Sequence, residues 1–368
     1  MKYKKINIKT VFVLCSLFFV LSTQSQELKT LIQEGLTNNP EIQKFKLQYS
    51  IASEKINEAN SLPNTQIGVG YFVSEPETRT GAQRFKISAK QMLPAFGAIT
   101  ARENYATSLA DAVYVDVAIA KRKLVASISQ SYYRLYALKA KQTILIENSA
   151  LLKTYETLAL NSVEVGKASL VDVLRLQMRQ NELEQLSQVL EQDFLAEQTN
   201  FNKHLNRDKD IAVNVTNDLK ILEDTIDAHP DNLSLHPELL KYDKLYESVE
   251  KSELLNQKQS SAMFGFGLDY VNVEKRPDAN FIGNGKDILM PMVSLSIPIF
   301  NNKYKSKTKQ NTLQKQEITF KKQERLNTLE TLLDKAIKQR VSALISYQTQ
   351  SKNLKQAKYA EDILIKSY

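Results

Sequence analysis

From Gly97 to Gly166 the chain carries no other glycine and no proline. Within that span Ile128, Ser131, Leu135, Leu138, Gln142, Leu145, Ser149 and Leu152 recur at 3-4 spacing, the seam of helices packed side by side. The pattern predicts one helix of about 68 residues, roughly 100 Å long, where a globular helix averages roughly 11 or 12 residues. Serine and glutamine thin the seam. Such a seam suits shallow contacts among several helices better than a two-stranded zipper, although an ordinary helical bundle has the same period.

Elsewhere the period falls to two. Four stretches alternate: 65–74, 83–93, 263–271 and 287–297. Ile67, Val69, Tyr71 and Val73 share one face, with Gln66, Gly68, Gly70 and Phe72 opposite. Phe264, Phe266, Leu268 and Tyr270 repeat the apolar face, as do Leu289, Val293, Leu295 and Ile297. Arg84, Lys86, Ser88 and Lys90 form a polar face, and Met290, Met292, Ser294 and Ser296 another. Each stretch is long enough for a tilted strand to cross a bilayer. A half-buried sheet over a soluble core alternates in the same way. Aromatic residues near the ends (Tyr71, Phe72, Phe96, Tyr270, Phe281, Phe300) favour the membrane reading. Roughly eight strands are the minimum for a closed membrane barrel, and an open edge is not tolerated in lipid. Four strands per chain therefore imply a barrel shared between chains: about eight in a dimer, or about twelve with room for a channel in a trimer.

The helix breakers mark an internal repeat. All prolines lie in 40–94 or 230–298, and long proline-free tracts follow each zone. Asn39-Pro40-Glu41-Ile42 matches His236-Pro237-Glu238-Leu239, and Ile67-Gly68-Val69-Gly70 matches Phe264-Gly265-Phe266-Gly267 at the same offset. Leu93-Pro94-Ala95-Phe96 matches Ile297-Pro298-Ile299-Phe300 after an insertion in 272–286. The expected organisation is a signal peptide at 1–25 and a first repeat at 26–232. That repeat holds a helix over 27–60 that Pro40 breaks early, strands 65–74 and 83–93, long helices 97–165 and 170–206, and a mid-height segment 207–232. The second repeat, 233–368, holds helix 235–259, strands 263–271 and 287–297, and long helix 301–368. The fold class is mainly α with a small β part. The equivalent of the Gly166 turn would fall just past Tyr368, so the expected chain continues, and the last helix, with its seam of Leu326, Leu329, Leu333, Leu344, Tyr347 and Leu354, is left partly uncovered.

Composition adds the compartment. Lys2, Lys4, Lys5 and Lys9 precede an apolar run, Val11–Leu21, and Thr23 and Ser25 suit cleavage before Gln26, the signature of a secretory signal peptide. The chain has a net charge of +8, half of which leaves with those lysines. Export and this mild balance argue against nucleic acid. The single cysteine, Cys15, lies in the signal region behind Leu14, a poor fit to a lipoprotein box, so packing rather than disulfides must hold the mature chain. No later stretch is apolar for as long as a transmembrane helix requires.

Candidate chemistry is sparse. His204, His229 and His236 form no metal-ligating motif, and no phosphate loop or nucleophile elbow occurs, so no catalytic group, cofactor or metal site is expected and the chain does not read as an enzyme. Met92, Met290 and Met292 suit soft cations such as Cu(I) or Ag(I), but methionine also fills irregular gaps. Ser169, with Asp172 three residues on, reads as a capping box behind the Gly166 turn. Lys303–Lys309 opens the last helix just past Phe300, a solvated helix start or a group near lipid headgroups or a lumen.

Taken in order, Gly35–Glu41, Leu62-Pro63, Leu93–Gly97, Val165–Leu174 and Ser296–Phe300 resemble the motifs of the TolC family of outer-membrane efflux proteins, over the whole mature chain. Within the family the sequence looks most like the heavy-metal branch of the CusC and CzcC type. The resemblance implies a homotrimer, a twelve-stranded outer-membrane barrel and a long periplasmic helical tunnel. It implies docking to a periplasmic adaptor and an inner-membrane pump of the resistance-nodulation-division type, and passive export of heavy-metal ions or drugs. It places Gly166, Lys167, Ser169 and Asp172 at the periplasmic tip, with Asp172 as a gate carboxylate. Arg84, Lys86, Lys90, Met290 and Met292 would line the barrel. The competing reading from another class is an exported periplasmic coiled-coil adaptor without membrane strands.

Overall fold

The structure is a computed structural model that describes residues 28–216, 219, 230–278 and 280–367. The expected signal peptide, His229 and much of the second half of segment 207–232 lie outside the described residues.

In chain order the helices are α1 (Leu28–Asn38), α2 (Pro40–Ala59), α3 (Ala98–Glu164), α4 (Leu170–Leu205), α5 (Pro237–Gln259) and α6 (Lys303–Ser367), with a 3-10 helix at Pro230–Leu235. The strands are β1 (Gln66–Tyr71), β2 (Glu77–Thr78), β3 (Gly81–Leu93), β4 (Met263–Val273) and β5 (Ile288–Ser296). The chain is mainly helical with one small antiparallel sheet, the fold class expected from the sequence.

One compact unit holds residues 28–45 and 117–216. Its core joins Leu31 and Ile42 to Leu124, Ile128, Tyr132 and Leu135 of α3, Phe201 and Leu205 of α4, and Val213 and Val215 of the following segment. Burying each large apolar side chain contributes about 1.5–3 kcal/mol. Asn39 organises the entry. Its side-chain oxygen caps α2 by accepting from the Glu41 N–H at 2.9 Å, with Pro40 as the first helical residue, and its amide donates to the His204 carbonyl at 2.8 Å. The Arg207 guanidinium grips the Glu34 carboxylate with two hydrogen bonds. Buried Asn202 donates to the Lys209 and Ile211 carbonyls at 3.1 and 2.7 Å, which turns the chain back after the left-handed cap at Asn206. Along the α3 seam, Ile128, Ser131 and Leu135 are buried, Leu138, Gln142, Leu145 and Leu152 half-buried, and Ser149 exposed. The contact with α4 loosens toward the turn.

The other unit holds residues 46–116, 230–278 and 280–367. His236 caps α5 as Asn39 caps α2, its Nδ1 accepting from the Glu238 N–H at 3.3 Å ahead of Pro237. α5 packs antiparallel on α6 through a polar seam. Buried Asn311 donates to Glu253 at 2.7 Å and accepts from Ser252 at 3.3 Å, and Asn256 donates to the Tyr304 carbonyl at 2.9 Å. Ion pairs Lys315–Glu250, Lys322–Asp243 and Arg325–Glu238 continue the line. Beyond Leu333, α6 exposes Val341, Leu344, Tyr347 and Leu354.

Candidate functional site

The sheet runs in the order β1-β3-β4-β5, all antiparallel, with β2 paired to the start of β3. The register fixes which residues stand together. On one face Val69, Ile87, Tyr270 and Leu289 form a row, and Ile67, Ala89, Leu268 and Pro291 the next. On the other face the rows are Gly68, Ser88, Asp269, Met290 and Gln66, Lys90, Gly267, Met292.

Exposure is inverted relative to a water-soluble sheet. Val69 is 75% exposed, Val293 73% and Leu289 65%, whereas Asp269 on the polar face is fully buried. A soluble sheet buries its apolar face because that face drives folding. Here Ile67, Val69, Ile87, Leu268, Leu289 and Val293 stay exposed on one face, and burial falls on the other face of β4, at Gly265, Asp269, Val271 and Val273. A Cβ at Gly265 would collide with Met92 Sδ and Ser294 Oγ, so glycine is what lets those side chains close over the start of β4.

The Lys86 ammonium neutralises the Asp269 carboxylate, whose side chain is 1% exposed and whose oxygens accept no well-aligned hydrogen bond. Buried charge survives only when paired. Lys86, Lys90, Met290 and Met292 share this face. Arg84 stands apart: it falls at a β-bulge between Gln83 and Phe85, 3.5 Å from Glu75 and paired with Glu274. Sequence reasoning missed Asp269. The available signal was one acid inside an apolar strand, out of phase with Leu268 and Tyr270.

The second candidate is the turn between α3 and α4. Gly166 has φ +73 and the Lys167 N–H donates to the Ser162 carbonyl at 2.8 Å, a left-handed helix end that favours glycine. Ser169 Oγ accepts from the Val171 N–H at 3.2 Å and so caps α4. The Asp172 carboxylate lies 3.4 Å from Arg175 Nη1, exposed, rather than closing a reciprocal capping box. Gly166, Lys167, Ser169 and Asp172 thus stand together in one exposed turn. Val165, Leu170, Val171, Leu174 and Met178 surround it with exposed apolar surface. Further from the turn, Glu156 of α3 accepts from Gln177 and Gln180 of α4 at 2.7 and 2.9 Å. Those two amides hold its carboxyl below the usual range. Sequence spacing within one helix could not reveal this bridge.

Among the described residues no three acidic, histidine or cysteine side chains gather as a metal site, and no helix is long and apolar enough to cross a membrane. Long antiparallel helices joined to a four-stranded sheet are a fold this chain shares with solved outer-membrane channels. The chain superposes on CusC, whose crystal structures describe folding and transmembrane channel formation, with a TM-score of 0.66 at 13% identity, covering 89% of this chain and 76% of that one. It superposes on VceC of Vibrio cholerae with a TM-score of 0.61 at 14% identity, covering 82% and 75%. For the open state of the Neisseria gonorrhoeae channel MtrE the TM-score is 0.62 at 14% identity, covering 82% and 70%. At these identities the likeness is one of fold, and the fold is the one the sequence resemblance implies. The sequence matches no protein-family model and shows no significant similarity to a curated protein.

Proposed function

We propose that the chain is one protomer of a trimeric outer-membrane channel, the passive exit duct of a tripartite efflux system. The observation that carries this reading is the sheet: Val69, Ile87, Leu268, Leu289 and Val293 lie exposed on one face, while Lys86, Lys90 and Asp269 stand on the other. In the proposed assembly three such sheets close a twelve-stranded barrel. Lys86, Lys90, Met290 and Met292 line its lumen, and Arg84 stands near one mouth. The long helices form the periplasmic tunnel, and the Gly166–Asp172 turn is its tip, where Asp172 sets the charge of the gate. An N-terminal signal peptide cleaved near Ser25-Gln26 delivers the chain. A periplasmic adaptor and an inner-membrane pump of the resistance-nodulation-division type supply the cargo, heavy-metal ions or drugs.

The test is fractionation followed by planar-bilayer recording. Outer-membrane recovery and discrete conductance steps support the channel. Recovery as a soluble periplasmic protein without conductance would establish the adaptor reading instead. A susceptibility panel of metals and drugs on a deletion strain then assigns the cargo class.

A further inference from the structure

The start of α6 runs against the electrostatics of helices. Lys303, Lys305, Lys307 and Lys309 fill its first two turns, and no acidic residue occurs between Asp287 and Glu317. A helix N-terminus carries partial positive charge and favours acids, so lysines placed there oppose the local rule. Such a violation points to a use elsewhere. Lys303, Lys305 and Lys309 are exposed, Lys307 is half-buried, and the first lysine of α6 with a carboxylate partner is Lys315, 2.9 Å from Glu250. The helix α3 also follows a strand and a Pro-x-Phe turn, yet it opens Ala98-Ile99-Thr100-Ala101, without a cluster. The fold alone therefore does not demand the lysines.

Their position beside the sheet is specific. The register pairs Leu93 with Phe264 and Met263 with Ser296, so the ends of β3 and β5 and the start of β4 lie together. At this end two aromatic rings project fully: Phe96 is 98% exposed and Phe300 101%, with Ile299 at 72%. Exposed Lys258 at the end of α5 adds a fifth cation at the same end. Exposed aromatics at a strand terminus mark the boundary of an apolar slab. The headgroup layer beyond that boundary is about 5–8 Å deep per side, and residues 303–309 climb about 9 Å of helix.

We propose that the first two turns of α6, together with Phe96 and Phe300, form a docking surface for anionic phospholipid headgroups of the bilayer leaflet on the helical side. The rings seat at the acyl boundary and Lys303, Lys305 and Lys309 meet phosphate one to two turns further on. Unpaired lysines at that depth attract anionic over zwitterionic lipid. This surface rests on the membrane-spanning reading of the sheet, and it names the leaflet and lipid charge that the channel selects.

The test uses the full chain in phosphatidylcholine vesicles carrying a trace of spin-labelled phosphatidylglycerol or spin-labelled phosphatidylcholine. Wild type should hold phosphatidylglycerol several-fold more strongly. The triple variant Lys303→Gln, Lys305→Gln, Lys309→Gln should bring that ratio close to one, while Lys352→Gln, Lys355→Gln, Lys358→Gln, about 75 Å further along the same helix, should leave it unchanged. Wild type that enters vesicles without preferring phosphatidylglycerol overturns the lipid surface alone, as does a first triple variant that keeps the preference. A triple variant that changes the ion preference of the pore and not the lipid ratio assigns the lysines to the lumen and also overturns it. Wild type that enters no vesicle at all removes the membrane reading and this surface with it.

Discussion

Asp172 stands three residues beyond Ser169, a spacing that makes it a capping residue, while the family resemblance makes it a gate candidate. The geometry separates the two roles, because Ser169 caps α4 and Asp172 lies against Arg175. Ser169→Ala should therefore lower stability by about 1 kcal/mol. Asp172→Ala removes only an exposed pair and should cost less than about 1 kcal/mol. In single-channel recordings at low salt, Asp172→Ala should alter conductance or cation preference and Ser169→Ala should not. Equal thermal shifts with unchanged conductance would return Asp172 to a purely structural role. His204 gives a second test at this scale. Burial, assisted by the charge of Lys203, pushes its imidazole pKa below the ordinary 6.5. The unfolded chain then binds the proton more readily than the folded one, so stability is complete above about 6.5 and falls as pH drops through the lower folded value. Thermal melts of His204→Gln should show a flatter decline than wild type between neutral pH and mild acid, and parallel curves would refute the assignment.

At the scale of elements, the sheet and the α5–α6 pair use opposite strategies. The sheet turns apolar side chains outward, while the helix pair buries amides and charges in its seam. Val69 lies in the apolar row with Ile87, Tyr270 and Leu289, and Gln66 lies in the row with Lys90, Gly267 and Met292. If the apolar face meets lipid, Val69→Arg should cost about 2–4 kcal/mol near mid-bilayer and Gln66→Arg little. Urea titrations of the protein folding into lipid vesicles measure both, and equal tolerance would reject the face assignment. The polar α5–α6 seam was poorly legible in the sequence. Asn256, Asn311 and Ser252 read locally as surface residues, and only the partner helix makes them buried, mutually satisfied groups.

At the scale of the whole molecule, four strands leave β1 and β5 as edges with unpaired backbone groups, which lipid does not tolerate. Closure through neighbouring protomers removes those edges. Mass measurement in mild detergent should find a trimer, and a stable detergent-solubilised monomer with intact strands would contradict shared closure. The same association would cover α6 beyond Leu333, where Val341, Leu344, Tyr347 and Leu354 are exposed.

The sequence by itself determined the periods. A breaker-free tract between Gly97 and Gly166 yields one helix, Ala98–Glu164, and alternation yields strands whose apolar residues share a face. These outcomes depend on backbone propensity and neighbours a few residues away, which a linear pattern records. The tertiary structure decided the strand order β1-β3-β4-β5, the pairing of Lys86 with buried Asp269, the bulge that sets Arg84 apart, and the bridge from Glu156 to Gln177 and Gln180. It also decided that apolar side chains of the sheet such as Val69, Leu289 and Val293 stay exposed. Alternation is the same whether the apolar face meets a protein core or a bilayer. Only the partners brought in from distant sequence positions, and the absence of any over that face among the described residues, distinguish the two.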